Sequence, residues 1–276
     1  MKKTGQIIKQ QSNLYTIQYL DKKYECRARG KFRNDKLTPL VGEFVVFDDE
    51  TNYILELLPR KNSLNRPPIA NVDEAIIMTS VKKPNLSLSL LDKQLVCVMH
   101  ENIEPIVCLS KCDLLDKSEM REVNQIFKYY KSIGIKVITN KNLFKLKRLI
   151  KGKTVVLTGQ TGSGKSSLIN RLDKNLNLET NEISEALGRG VHTTRHTELH
   201  KVGSALIADT PGFSALDLNI DKNELKKYFI EFRNAKCKFD NCMHINEKDC
   251  QIKKLVQEGK ISKTRYENYV RFWGEL

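Results

Sequence analysis

The sequence predicts a three-part molecule: a small N-terminal β-barrel, a central α/β domain and a short helical tail organised by a metal. Three observations carry this. The first sixty residues read as short β-rich segments separated by turns. Residues 74–210 alternate apolar, strand-like runs with helical periodicity. Cys237, Cys242, His244 and Cys250 crowd into fourteen residues. A chain of 276 residues suits about two domains with attachments, and the divisions are expected at 1–65, 66–220 and 221–276.

The barrel rests on "NLYTIQYL", "YECRARGKF", "GEFVVFDD" and "NYILELL", separated by "LDKK", "RNDKLTP" and "DDETN". Several short strands in so few residues suggest an OB-type or SH3-type barrel. Alternation from Tyr24 puts Tyr24, Cys26, Ala28 and Phe32 on one face, with Arg27, Arg29, Lys31 and Arg33 on the other beside Glu25. With Lys22, Lys23 and Lys36 nearby, that outer row reads as a nucleic-acid surface. The net charge of +14, 47 Lys and Arg against 33 Asp and Glu, favours a polyanionic partner. "PRKNSLNRPP" (59–68) is a linker by composition.

In the central part, "EAIIMTS", "EPIVCLS", "IKVIT", "KTVVLTG" and "ALIADT" read as strands, and "LSLLDKQLVCVMHEN", "REVNQIFKYYKSIG" and "NLFKLKRLI" as helices. Such alternation predicts a mostly parallel sheet covered on both faces. "DKNELKKYFIEF" (221–232), capped by Asp221, and "SKTRYENYVRFWGEL" are the expected helices of the tail, with Trp273 packed into its core.

Chemistry enters with "GQTGSGKSS". Gly159, Gln160, Thr161, Gly162, Ser163, Gly164, Lys165, Ser166 and Ser167 contain G-x-x-x-x-G-K-[ST], preceded by a strand and followed by a helix. Glycines let backbone N–H groups turn in on phosphates, and the helix N-terminus adds a positive dipole end. Lys165 is expected on the β- and γ-phosphates and the Ser166 hydroxyl on Mg²⁺. "DTPGF" follows a strand and fits D-x-x-G, so Asp209 belongs near Mg²⁺ and the Gly212 N–H near the γ-phosphate. "SKCD", residues Ser110, Lys111, Cys112 and Asp113, ends an apolar strand and reads as a base loop. The Asp113 carboxylate can accept two hydrogen bonds from guanine that adenine cannot supply. The base loop precedes the phosphate loop, the reverse of the usual order, which implies a circularly permuted P-loop GTPase domain.

Taken together, the permuted order, "GQTGSGKSSLIN", "GRGVHTTRH", "DTPGF" and "CKFDNCMHINEKDC" make the chain resemble the RsgA family, the circularly permuted, ribosome-dependent GTPases of bacterial small-subunit assembly. The resemblance implies an OB barrel, a permuted GTPase domain and a zinc-binding tail. It also implies GTP hydrolysis to GDP stimulated by the small ribosomal subunit, in late maturation, with 16S rRNA as a partner. By position, Thr194 is the implied Mg²⁺ ligand of the first switch, with Thr193 the alternative, and His192 matches a histidine proposed to position the attacking water. Phe213 stands where many GTPases carry a catalytic glutamine, so either His192 or an rRNA group must do that work. The base loop usually begins with Asn; Ser110 is shorter, and looser guanine binding is expected.

Cys237, Cys242, His244 and Cys250 supply three thiolates and one imidazole, a complete tetrahedral set for one structural Zn²⁺. Lys236, Lys238, Lys253 and Lys254 nearby would then face RNA. No run of 18 apolar residues appears and "MKKTGQIIKQQ" lacks a signal peptide's apolar stretch, so a cytoplasmic protein without membrane contact is expected. No strongly amphipathic basic helix stands out. Monomer is the default expectation.

Overall fold

The computed structural model describes residues 1–30, 32, 37–65, 68–173, 198–209 and 218–276. The barrel closes from β1 (Lys2–Gln11), β2 (Leu14–Tyr19), β3 (Lys22–Ala28), β4 (Phe44–Asp48) and β5 (Tyr53–Leu57), in the order β1-β2-β3-β5-β4. Its interior is apolar: Ile7, Ile17, Cys26, Val45, Phe47 and Ile54 are fully buried.

Two features of this lobe depart from expectation. β1 is its longest strand, yet its sequence hides it. A bulge between Ile7 and Lys9 turns both Ile7 and Ile8 inward, which breaks the alternation that marks a strand. The cationic row also ends early. Arg27 and Arg29 are exposed, but β3 stops at Ala28 and the backbone is helical at Gly30 and Phe32. A period of two therefore does not extend that far, and Lys31, Arg33 and Lys36 lie outside the described residues.

The expected linker is built, not loose. β6 (Ser63–Asn65) pairs antiparallel with β7 (Pro68–Ala70), across the division expected at residues 65 and 66. The Ala70 N–H donates to the Val41 carbonyl at 2.8 Å and the Asn71 amide to Gly42 at 3.0 Å. Arg60 meets the buried Glu43 carboxylate at 2.8 Å. The segment therefore clamps the barrel to the central domain.

The central sheet comprises β8 (Glu74–Ser80), β9 (Glu104–Ser110), β10 (Lys136–Thr139), β11 (Thr154–Gly159), β12 (Leu199–Val202) and β13 (Ala205–Asp209), in the order β10-β9-β8-β11-β13-β12. All neighbours are parallel except the edge strand β12, which the sequence reading missed. One face is covered by α1 (Leu88–His100) and α2 (Lys117–Ser132), through Leu91, Leu95, Val123 and Phe127 packed on Ala75, Ile77, Val107 and Val156. The other is covered by α3 (Leu143–Ile150) and α4 (Lys165–Leu172), through Leu146, Ile150, Leu168 and Ile169 packed on Ile76, Met78, Ile106 and Val155. α2 begins before Arg121 because Asp116 and Glu119 form a capping box. α3, expected as a helix, is also basic and amphipathic, which was not expected: three of its eight residues are cations, around a buried Leu146 and Ile150.

The tail is helical in a tighter form than expected. Lys222–Tyr228 and Ile230–Phe232 are 3₁₀ turns, with Asp221 capping the first through the Asn223 N–H at 2.8 Å, and α5 (Gln251–Gln257) and α6 (Lys263–Glu275) complete it. Trp273 is half-buried against Lys222, whose ammonium lies 3.8 Å from the ring centre. A buried ionic network seats the tail on the α1–α2 face. Arg265, 2% exposed, contacts Asp92 of α1 at 2.5 Å and both Glu231 oxygens at 2.5 and 3.0 Å. Asp92 also accepts from Tyr130 of α2 at 2.8 Å and from Asn268 at 2.6 Å. Burial works against the guanidinium's charge, but the two carboxylates outweigh it and raise its pKa. Among the described residues, no helix is long and apolar enough to cross a membrane.

Candidate nucleotide site and metal cluster

Loops leave the carboxyl ends of β9 and β11, and β13 ends on the same side, where open α/β sheets place their ligand crevice. The loop after β11 is shaped by its glycines. Gly159 has φ +138°, and a Cβ there would lie 2.4 Å from the Met78 carbonyl of neighbouring β8, so no other residue fits. Gly162 and Gly164 also have positive φ, and Gly164 caps α4, leaving Lys165 and Ser166 in the first turn. The Lys165 ammonium donates to the carbonyls of Gly159 at 2.9 Å and Gln160 at 3.1 Å, holding it inside the loop. Thr161 and Ser167 are exposed and Ser163 is buried.

Ser110 ends β9, buried, and its hydroxyl donates to the Ser163 carbonyl at 2.7 Å. One hydrogen bond thus ties the base loop to the phosphate loop, so the shorter side chain still reaches. Lys111 adopts the left-handed conformation and its ammonium bonds the Lys83 carbonyl. Cys112 is half-buried, and burial pushes its thiol pKa up against the pull of Lys141. The Asp113 carboxylate is exposed, with the Lys141 ammonium 4.0 Å away. Lys141, in the loop after β10, is the residue that sequence reasoning left without a role; its approach to Asp113 is a product of the parallel β9–β10 pairing. Asp209 closes β13 in register with Leu157. His192, Thr193, Thr194, Gly212 and Phe213 lie outside the described residues.

In the tail, the ligand atoms of Cys237, Cys242, His244 and Cys250 all lie within 4.8 Å of one another. His244 Nδ1 is 3.6 Å from the Cys237 sulfur and 3.4 Å from the Cys250 sulfur. Burial lowers the His244 pKa to about 4 and raises that of Cys242 to about 12. Its loop is braced from several sides. Glu247 accepts from the Met243 and Ile245 N–H groups at 2.6 and 2.8 Å, Tyr269 and Tyr266 donate to the Met243 and His244 carbonyls, and Lys226 donates to Cys242. Three thiols and an imidazole converging on one point, in a braced loop, fit a structural metal of the zinc type.

The chain matches the family described as RsgA GTPase over residues 57–219 and the RsgA N-terminal domain over residues 4–53. It is 45% identical over 281 residues to the small ribosomal subunit biogenesis GTPase RsgA of Enterococcus faecalis, covering 99% of this chain and 95% of that one. With the protein of the same description from Bacillus cereus it shares 44% over 283 residues, covering 99% and 97%. Among solved structures, YjeQ from Thermotoga maritima superposes with a TM-score of 0.88 at 34% identity, covering all of this chain and 99% of that one. YloQ, a circularly permuted GTPase, superposes with a TM-score of 0.85 at 36% identity, covering all of this chain and 95% of that one.

Proposed function

Because the chain belongs to the RsgA GTPase family, and is therefore a GTP hydrolase, we propose that the small ribosomal subunit stimulates its turnover and that it acts late in that subunit's maturation. The observation that carries this reading is the likeness over 99% of the chain to proteins described as small ribosomal subunit biogenesis GTPases, and the Ser110–Ser163 hydrogen bond supports a joined base and phosphate site. GTP enters with its phosphates against the backbone N–H groups of residues 160–167 and the N-terminus of α4. Lys165 exchanges its loop carbonyls for β- and γ-phosphate oxygens, and Asp113 accepts from the guanine edge. Ser166, Thr194 and Asp209 would hold Mg²⁺, which when bound would supply positive charge against the phosphates. Gly212 donates to the γ-phosphate. Phe213 cannot orient water, so His192 or an rRNA group positions the nucleophile.

The tail's Zn²⁺ would be held by Cys237, Cys242, His244 and Cys250; when bound it supplies the charge that keeps three thiolates together. A closed site of this kind is structural. The same reading makes the protein a cytoplasmic monomer that meets 16S rRNA through its basic barrel face at Arg27 and Arg29 and through the lysines around the metal loop, with lobes divided near residues 65 and 220.

The test is phosphate release from GTP and from ATP, with and without purified small subunits. Strong stimulation with GTP and none with ATP is expected. An unchanged GTP rate on saturating subunits would overturn the proposal.

A further inference from the structure

The outer face of α3 carries charge that the fold does not use. Leu146 and Ile150 are buried against α4 and the sheet, with Leu143 and Leu149 beside them. At 3.6 residues per turn, Phe144 and Arg148 then face away from the sheet, with Lys145 and Lys147 on the two flanks and Lys151 just beyond the helix end. All five are exposed, and Phe144 is the most exposed large hydrophobic side chain among the described residues, at 81%. Some surface lysines are paired, as Lys9 is with Glu198, Lys82 with Glu119, Lys93 with Glu275 and Lys227 with Glu224. Among the described residues, Lys145, Lys147, Arg148 and Lys151 have no such carboxylate; the ion pairs on either side of them in sequence are Lys141 with Asp113 and Lys153 with Glu74.

We propose that this face docks RNA. Its cations would receive backbone phosphates, with release of condensed counterions, and Phe144 would stack on an unpaired base. A bilayer is the poorer match, because an interfacial helix must sink an apolar stripe into the headgroup boundary, and the stripe of α3 is already spent in the core. The helix also adjoins the loops proposed to hold the nucleotide. α3 follows the loop whose Lys141 sits beside Asp113, and its inner side packs on α4, the helix that opens with Lys165. RNA held there would lie behind both the base loop and the phosphate loop. The inference rests on the reading of the chain as a ribosomal RNA-dependent GTPase, but its test is separate.

The full-length chain, wild type, Phe144→Ala, and Lys147→Ala with Arg148→Ala, would be titrated with a labelled twelve-nucleotide single-stranded RNA and with purified small subunits at several salt concentrations. Phe144→Ala should weaken oligonucleotide binding about 5- to 150-fold with the salt dependence unchanged. The double variant should flatten the slope of log affinity against log salt by about 1.4, two contacts at 0.7 each. Both variants should melt with the wild type and keep its unstimulated GTP hydrolysis, since they alter only exposed side chains. Wild-type affinity and slope in both variants, or no oligonucleotide binding by the wild type, would overturn the proposal. So would loss of binding to phosphatidylserine vesicles with RNA binding intact, which would make the face a membrane contact. Failure of the wild type to bind small subunits, with the oligonucleotide effects present, would strike the proposed function and leave this surface standing.

Discussion

The barrel and the tail are joined to the same sheet and helices, but by different chemistry. At the barrel joint, backbone groups of Val41, Gly42 and Ala70 carry hydrogen bonds, Val41 and Ile69 pack without solvent, and the ion pairs around it, Arg60–Glu43, Lys9–Glu198 and Lys201–Asp21, each keep at least one partner partly in solvent. At the tail joint, a buried guanidinium answers two carboxylates from different elements, with Tyr130 and Asn268 filling the remaining acceptor positions. Main-chain joints tolerate side-chain change, whereas a buried charge network fails as a unit once one member is lost. The tail is therefore the lobe that substitutions at its joint, or loss of a metal from the proposed Cys/His site, should release, and the barrel the lobe that stays.

The largest effect should come from the metal. A strong zinc chelator, or Cys250→Ser, removes an apparent stabilisation of order 10 kcal/mol from the tail loop. Trp273 is the chain's single tryptophan and packs in this lobe. Its emission should shift to the red on chelation, while the barrel keeps its amide-exchange protection; equal loss of protection in both lobes would break the contrast. Next, Arg265→Ala leaves Asp92 and Glu231 buried without their partner and should cost about 3–5 kcal/mol in denaturant titration. Replacing Arg265, Asp92 and Glu231 together by apolar residues should recover most of that loss. At the other joint, Arg60→Ala should cost only about 1–3 kcal/mol, the penalty of leaving one acceptor group unpaired; a loss as large as that of Arg265→Ala would erase the distinction. The smallest effect is a pH slope. Burial holds the Glu43 carboxyl above its ordinary value of 4.5, against the pull of Leu40 and Arg60. Its folded form binds the proton more tightly, so its contribution is complete below 4.5 and is lost as pH rises through the folded value. Glu43→Gln should flatten the stability profile above pH 4.5, as read by melting temperature against pH.

These joints also mark where the sequence stopped being readable. The sheet was legible because β8, β9 and β11 are buried on both faces and appear as unbroken apolar runs. The phosphate loop was legible because its glycines answer a local backbone demand. The metal cluster was legible because its ligands are close in the chain. β1 was not, since one bulge cancels its alternation. The segment at 221–232 shows a helical stripe, but the 3₁₀ form is set by packing under α6. The Asp92–Arg265 pair joins residues 173 apart, and no periodicity reports such a contact. Ser110 was identified, yet its reach to Ser163 depended on how closely β9 and β11 are drawn together across β8.

The strand order has a consequence for how the chain is made. β8 sits inside the sheet between β9 and β11, but β9 follows it after one helix, whereas β11 begins more than seventy residues later. At the pace of protein synthesis, β8 and β9, once both have emerged, wait with a bare apolar edge for about 2–9 s before β11 reaches them. An unpaired edge of that kind recruits strands from other chains. The permutation that brings the guanine-reading half out first therefore leaves the nascent protein with an adhesive seam, closed only when the phosphate loop itself has left the exit tunnel.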